Sequence, residues 1–112
     1  MNSVNDLRDL VHDIAVEKGW HLEKHERSFG DYIALMHSEL SEALEDHRDG
    51  KGYQNIDYEE SGKPSGIPIE LADVIIRILD FCGKYDVDID KALRVKIDYN
   101  ATRDHRHGGK VI

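Results

Sequence analysis

Apolar residues recur along this chain at the three- and four-residue intervals of helices, not in the alternation of half-buried strands. Val4, Leu7, Leu10, Val11, Ile14 and Ala15 fall on one helical face and Gly19 supplies a stop, so the spacing predicts a first helix over 3–18. Ile33, Met36, Leu40, Ala43 and Leu44 form a second stripe. Ser28 or Asp31 is placed to cap its start, and it ends near Arg48 and Gly50. A third helix, over 68–84, begins on Pro68, a residue suited to a first helical turn. It is apolar around roughly two-thirds of its circumference at about 100° per residue. Its polar remainder is one narrow strip: Glu70, Asp73, Arg77 and Asp80. A helix so apolar in so short a chain predicts contact with another subunit as well as with its own core.

Asp88 caps a fourth helix that reaches Arg103. Its stripe opens with Ile89, Ala92 and Leu93, then continues with Lys96, Asn100 and Arg103. Polar groups on an apolar stripe are costly to bury unless paired, so these are expected to face an acidic neighbour. The Gly-, Asn- and Ser-bearing stretch from Lys51 to Gly66 has no periodicity and exceeds the usual connection length. It is expected to be a mobile functional loop at 51–66, and the His- and Gly-rich segment 105–112 a flexible tail.

Four amphipathic helices in 112 residues make one all-α domain with a single core. The net charge of −8 argues against a general nucleic-acid polymer or an anionic membrane as partner. The longest apolar run of the third helix, Val74-Ile75-Ile76, is far too short to span a bilayer, and the N-terminus has no signal-peptide pattern. The lone Cys82 rules out an intrachain disulfide and reads as a small core residue. A cytoplasmic location is the expectation.

Charge becomes chemistry in two short patterns, Glu39-Leu-Ser-Glu42 and Glu70-Leu-Ala-Asp73. Residues three apart share a helix face, so each pattern sets two carboxylates side by side. Packed together, the two helices would gather four anions, which repel unless a cation sits among them. Hard divalent ions prefer carboxylate oxygens, and Mg²⁺, with Mn²⁺ as a substitute, is the expected cofactor. Asp46 continues the shoulder of Glu39 and Glu42, whereas His37 and His47 read as surface residues. Trp20 is either an aromatic anchor closing the bundle or a stacking surface for a base.

Glu39-x-x-Glu42, a linker, Glu70-x-x-Asp73 and then Lys96-x-x-x-Asn100-x-x-Arg103 resembles the MazG-like, all-α nucleoside triphosphate pyrophosphohydrolases. Lys96-Ile-Asp-Tyr-Asn100-Ala-Thr-Arg103 and the closing His107-Gly-Gly-Lys110 are similar to short single-domain phage and bacterial members. The resemblance implies a four-helix bundle associated as a homodimer or homotetramer. It implies cleavage of the α–β bond of a nucleoside triphosphate to the monophosphate and pyrophosphate. Glu39, Glu42, Glu70 and Asp73 would then hold Mg²⁺, with Lys96, Asn100 and Arg103 facing the phosphates. Lys96 and Arg103 would stabilise charge as pyrophosphate departs. Some relatives place an acidic residue just before the first motif, where this chain has Ser38. A metal-bound hydroxide or one of the ligands must then act as base. Lys63 and Lys110 are further cations suited to a triphosphate, and Gly62, Gly108 and Gly109 allow close backbone approach.

Two other classes fit parts of the pattern. One is a non-catalytic helical regulatory protein that keeps a metal site. The other is a carboxylate-bridged di-iron bundle, which calls for Glu-x-x-His pairs that neither motif contains.

Overall fold

The computed structural model describes residues 3–22 and 26–103. They form α1 (Val4–Glu17), α2 (Phe29–Arg48), a short hairpin of β1 (Asp57–Tyr58) and β2 (Pro64–Ser65), α3 (Ile67–Lys84) and α4 (Ile89–Thr102). The fold is helical, as the periodicity predicts. Ser3 Oγ accepts the Asp6 N–H at 3.1 Å to open α1. Both candidate caps of α2 are used together: Ser28 Oγ accepts the Asp31 N–H at 3.1 Å while the Ser28 N–H donates to Asp31 at 3.2 Å. This reciprocal box satisfies two donors that a helix start leaves without intrahelical partners.

Helix α3 is the axis of the fold, lying between α1 and α2. Both neighbours run antiparallel to it. Tyr32, early in α2, meets Phe81 and Lys84 late in α3, whereas Glu39 further along meets Arg77. On the other side Arg8 donates to the Val87 carbonyl at 2.8 Å, and His12 reaches back to Asp80. Two flanking helices account for much of the apolar circumference of α3. The close approach of α1 depends on Gly83, because a Cβ there would lie 2.5 Å from His12 Cβ.

The buried apolar residues are few among those described: Ala15, Tyr32, Ile67, Leu79 and Cys82. Burial also raises the Cys82 thiol above its ordinary range, leaving it a poor nucleophile. Leu71 and Ile75 on α3, and Leu40 and Leu44 on α2, stay exposed.

The structure departs from the expected inward position of α4. Only its start is docked: Asp88 accepts from Asn5 Nδ2 at 2.9 Å, and Asp90 accepts the Val4 N–H at 3.2 Å. These bonds tie the first turn to the start of α1, and Leu93, Val95, Ile97 and Tyr99 beyond it are exposed. The apolar periodicity of α4 is real, but among the described residues none covers its later turns.

The 51–66 segment, expected as a mobile functional loop, holds a short strand pair. Tyr58 pairs with Pro64 and Asp57 with Ser65, and the Glu59 N–H donates to Lys63 O at 3.0 Å across the turn. Period-two patterning cannot announce strands of two residues. The tail at 105–112, with His105, His107 and Lys110, lies outside the described residues. No helix among the described residues is long and apolar enough to cross a membrane.

Candidate metal centre and adjoining cleft

Antiparallel packing sets the first acidic pattern against the second in reverse order. Glu39, Glu70 and Asp73 each offer a carboxylate oxygen, and these atoms lie within 4.8 Å of one another. Glu42, one turn along α2, is exposed and stands beside Glu70. Three of the four predicted ligands therefore converge, and the fourth flanks them. Asp46, a further turn on, adds its negative charge to the same environment.

Burial and the crowding of like charges raise two of these carboxylates. Glu70 is pushed up to about 7, first by burial and then by the charges of Glu42 and Asp73, with Asp46 contributing. Asp73 is raised as well, by burial and then Glu39, against opposing pulls from Arg77 and Lys63. Burial and like charge both disfavour ionisation, and here they act together. Asp46 Oδ2 is the one buried side-chain polar atom among the described residues without a hydrogen-bond partner. Its Oδ1 lies 3.4 Å from Lys51 Nζ.

Arg77 answers part of this charge. Its Nε–H donates to Glu39 Oε1 at 2.9 Å, and its guanidinium lies 5.9 Å from the centroid of the Trp20 ring. Trp20 is positioned by the end of α1, where Gly19 adopts φ +83° and the Trp20 N–H donates to Ala15 O at 3.0 Å. Such a left-handed turn is open to glycine at little cost and closes the helix with a paired carbonyl.

Trp20 walls a cleft of about 280 Å³ between α1 and α3, lined also by Val11, Ile14, Ala15, Ile76 and Asp73. Lys18 lines it too. The cleft is mostly apolar and shares Asp73 with the carboxylate cluster. An apolar slot opening on an anionic, metal-suited corner can hold a flat organic group at one end and a metal-bound anion at the other.

The predicted cations of α4 lie elsewhere in this chain. Lys96 Nζ and the Arg103 guanidinium both sit over Tyr99 of their own helix, at 5.1 and 5.4 Å, and Asn100 is exposed. No hydrogen bond or ion pair joins any of the three to the acidic cluster among the described residues. The cations that act on it are Arg77 and Lys63, and Lys18 lines the adjoining cleft. Arg77 was visible as part of the polar strip of α3, and Lys63 as a cation of the loop. Lys18 carried no signal beyond its place at the end of the first helix.

A second cluster has no counterpart in the acidic motifs. His12 Nδ1 lies 2.8 Å from Asp80 Oδ1, and His21 Nε2 lies 2.9 and 3.0 Å from Asp80 Oδ1 and Oδ2. Among the histidines read as surface residues, His37 is exposed, and exposed His47 stacks on Tyr53 with ring centroids 5.8 Å apart. No family model, curated protein or solved structure matches the chain.

Proposed function

We propose that the protein is a Mg²⁺-dependent nucleoside triphosphate pyrophosphohydrolase of the MazG-like kind, releasing a nucleoside monophosphate and pyrophosphate. The observation that carries this reading is the convergence of Glu39, Glu70 and Asp73 at the edge of the cleft walled by Trp20.

The donor set fits a hard cation. All three convergent ligands are carboxylates, Glu70 is raised first by burial and then by neighbouring carboxylates, and Asp46 Oδ2 is buried without a partner among the described residues. Glu39, Glu70 and Asp73 would hold Mg²⁺, with Glu42 at the flank. Bound there, the ion would supply charge neutralisation for the phosphates and activation of water. The chain's own groups do the rest. Trp20 offers a ring face to the base, while Val11, Ile14 and Ile76 exclude water from it. Lys18 and Lys63 add positive charge close to Asp73, where the phosphates approach. Arg77 holds Glu39 in place and offsets repulsion before substrate binds.

Homo-oligomerisation belongs to the same proposal. The thin buried core and the uncovered apolar residues of α3 and α4 favour a second copy as cover. Assembly would also give Lys96, Asn100 and Arg103 a route to the acidic cluster of another protomer.

The test is a panel of canonical and modified triphosphates with Mg²⁺, with the products identified. Monophosphate plus pyrophosphate is expected, and Glu42→Gln and Asp73→Asn should abolish turnover while leaving the helices intact. Release of single phosphates, or full activity with excess chelator, would sink the assignment. The separation of Lys96 and Arg103 from the acids within one chain favours one alternative, a non-catalytic metal-binding regulator. That protein would bind nucleotide with Mg²⁺ and leave it intact.

A further inference from the structure

Asp80 is the only charged residue in the buried class among those described, with 6 % of its side chain exposed. Two imidazoles meet it, His12 from α1 and His21 from the turn after Gly19, with 21 % and 14 % of their side chains exposed. Buried charges are paired or coordinate metals, because an unpaired ion loses hydration without compensation. His12 and His21 bring two ring nitrogens to the oxygens of Asp80.

A metal ion between the three groups would cancel the charge of Asp80. The two rings have centroids 5.1 Å apart. One divalent ion uses both imidazole lone pairs and the carboxylate together. The three ligand atoms already lie within 4.8 Å of one another. The edge of a tetrahedral Zn²⁺ site with bonds near 2.0–2.1 Å is ~3.3 Å. The nitrogen–oxygen separations of 2.8–2.9 Å need open by only a few tenths of an ångström to reach it.

We propose that His12, His21 and Asp80 form a second metal-binding site, for a divalent transition ion of which Zn²⁺ is the first candidate. Imidazole nitrogen suits Zn²⁺ and its neighbours, whereas oxygen-only sites suit Mg²⁺, so the two clusters differ in kind. The new site needs no nucleotide chemistry and stands apart from the pyrophosphohydrolase reading. Its ligands come from α1, the following turn and α3, so a bound ion staples these three together. His21 adjoins Trp20, so the staple also holds the wall of the cleft.

The test is titration of the metal-free, full-length protein with Zn²⁺ in excess Mg²⁺, which occupies the carboxylate cluster. One tightly held Zn²⁺ per chain is expected, undisplaced by Mg²⁺. His12→Gln and His21→Gln should each weaken it by more than ~10–100-fold, the loss typical of removing a mere supporting group. His37→Gln, Glu39→Gln and the pair His105→Gln and His107→Gln should leave it unchanged. Imidazole ¹⁵N resonances of the unmutated protein give a readout independent of any variant's folding: His12 Nδ1 and His21 Nε2 should both shift at one equivalent of Zn²⁺. Unmoved resonances, displacement by Mg²⁺, or wild-type affinity in folded His12→Gln and His21→Gln proteins would overturn the proposal.

Discussion

Arg77 and Glu39 form a 2.9 Å ion pair that occupies one of the three convergent carboxylates. The guanidinium thus competes with any cation for Glu39 while relieving repulsion on Asp73. Arg77→Gln should therefore bind Mg²⁺ more tightly than wild type, yet melt at a lower temperature without metal. Calorimetric titration and thermal melts, with and without Mg²⁺, would show the two effects. Weaker Mg²⁺ binding in the variant would mean that Arg77 organises the site instead of competing for it.

The metal-free fold should lose stability as pH rises from mildly acidic to slightly alkaline. Glu70 binds its proton more tightly in the fold, at about 7, than its ordinary value of 4.5. A group raised in this way contributes stability fully present below the unfolded value and lost as pH climbs through the folded one. Metal binding needs the deprotonated carboxylate, so the gain in melting temperature on adding Mg²⁺ should be larger at about pH 8 than at about pH 5. An equal gain at both would exclude Glu70 as a ligand.

Trp20→Ala should weaken binding of a nucleoside triphosphate, by roughly ten- to a hundredfold if a base stacks on the ring. Inorganic tripolyphosphate has no base, so its Mg²⁺-dependent binding should change little. A variant that loses both equally would place Trp20 in the support of the fold.

Gly83→Ala should destabilise, against the usual rule for helices. Alanine normally gains about 1 kcal/mol over glycine in a helix interior. Here its Cβ would lie 2.5 Å from His12 Cβ and 2.9 Å from Cγ, so α1 or the His12 ring must move. Overpacking of that kind costs typically 1–3 kcal/mol, which outweighs the gain. Urea denaturation of the variant should give a lower midpoint at unchanged slope.

The helices and their caps could be read because each depends on neighbours within one turn. Ser28 with Asp31, and Asp88, act across three residues. The carboxylate convergence was half legible. The i, i+3 spacing brings Glu39 toward Glu42 and Glu70 toward Asp73, but only the crossing of α2 and α3 decides that Glu39 joins Glu70 and Asp73 while Glu42 flanks them. His12 and His21 stand 68 and 59 residues from Asp80, and no local pattern reports such a meeting. The stripe of α4 misled for a different reason. Periodicity says which side of a helix wants covering, not which molecule covers it.

That helix has a dynamic consequence. Helices shorter than ~12–15 residues are marginal in water, and packing supplies most of their stability. α4 has fourteen residues and is anchored at its first turn. In the free chain its amides from Val95 onward should exchange with solvent through local opening, far faster than those of central α3. Any surface that later settles over Val95, Ile97 and Tyr99 must first fix a fluctuating segment. Its affinity is lowered by that ordering, and the mean ellipticity of the chain rises as the complex forms.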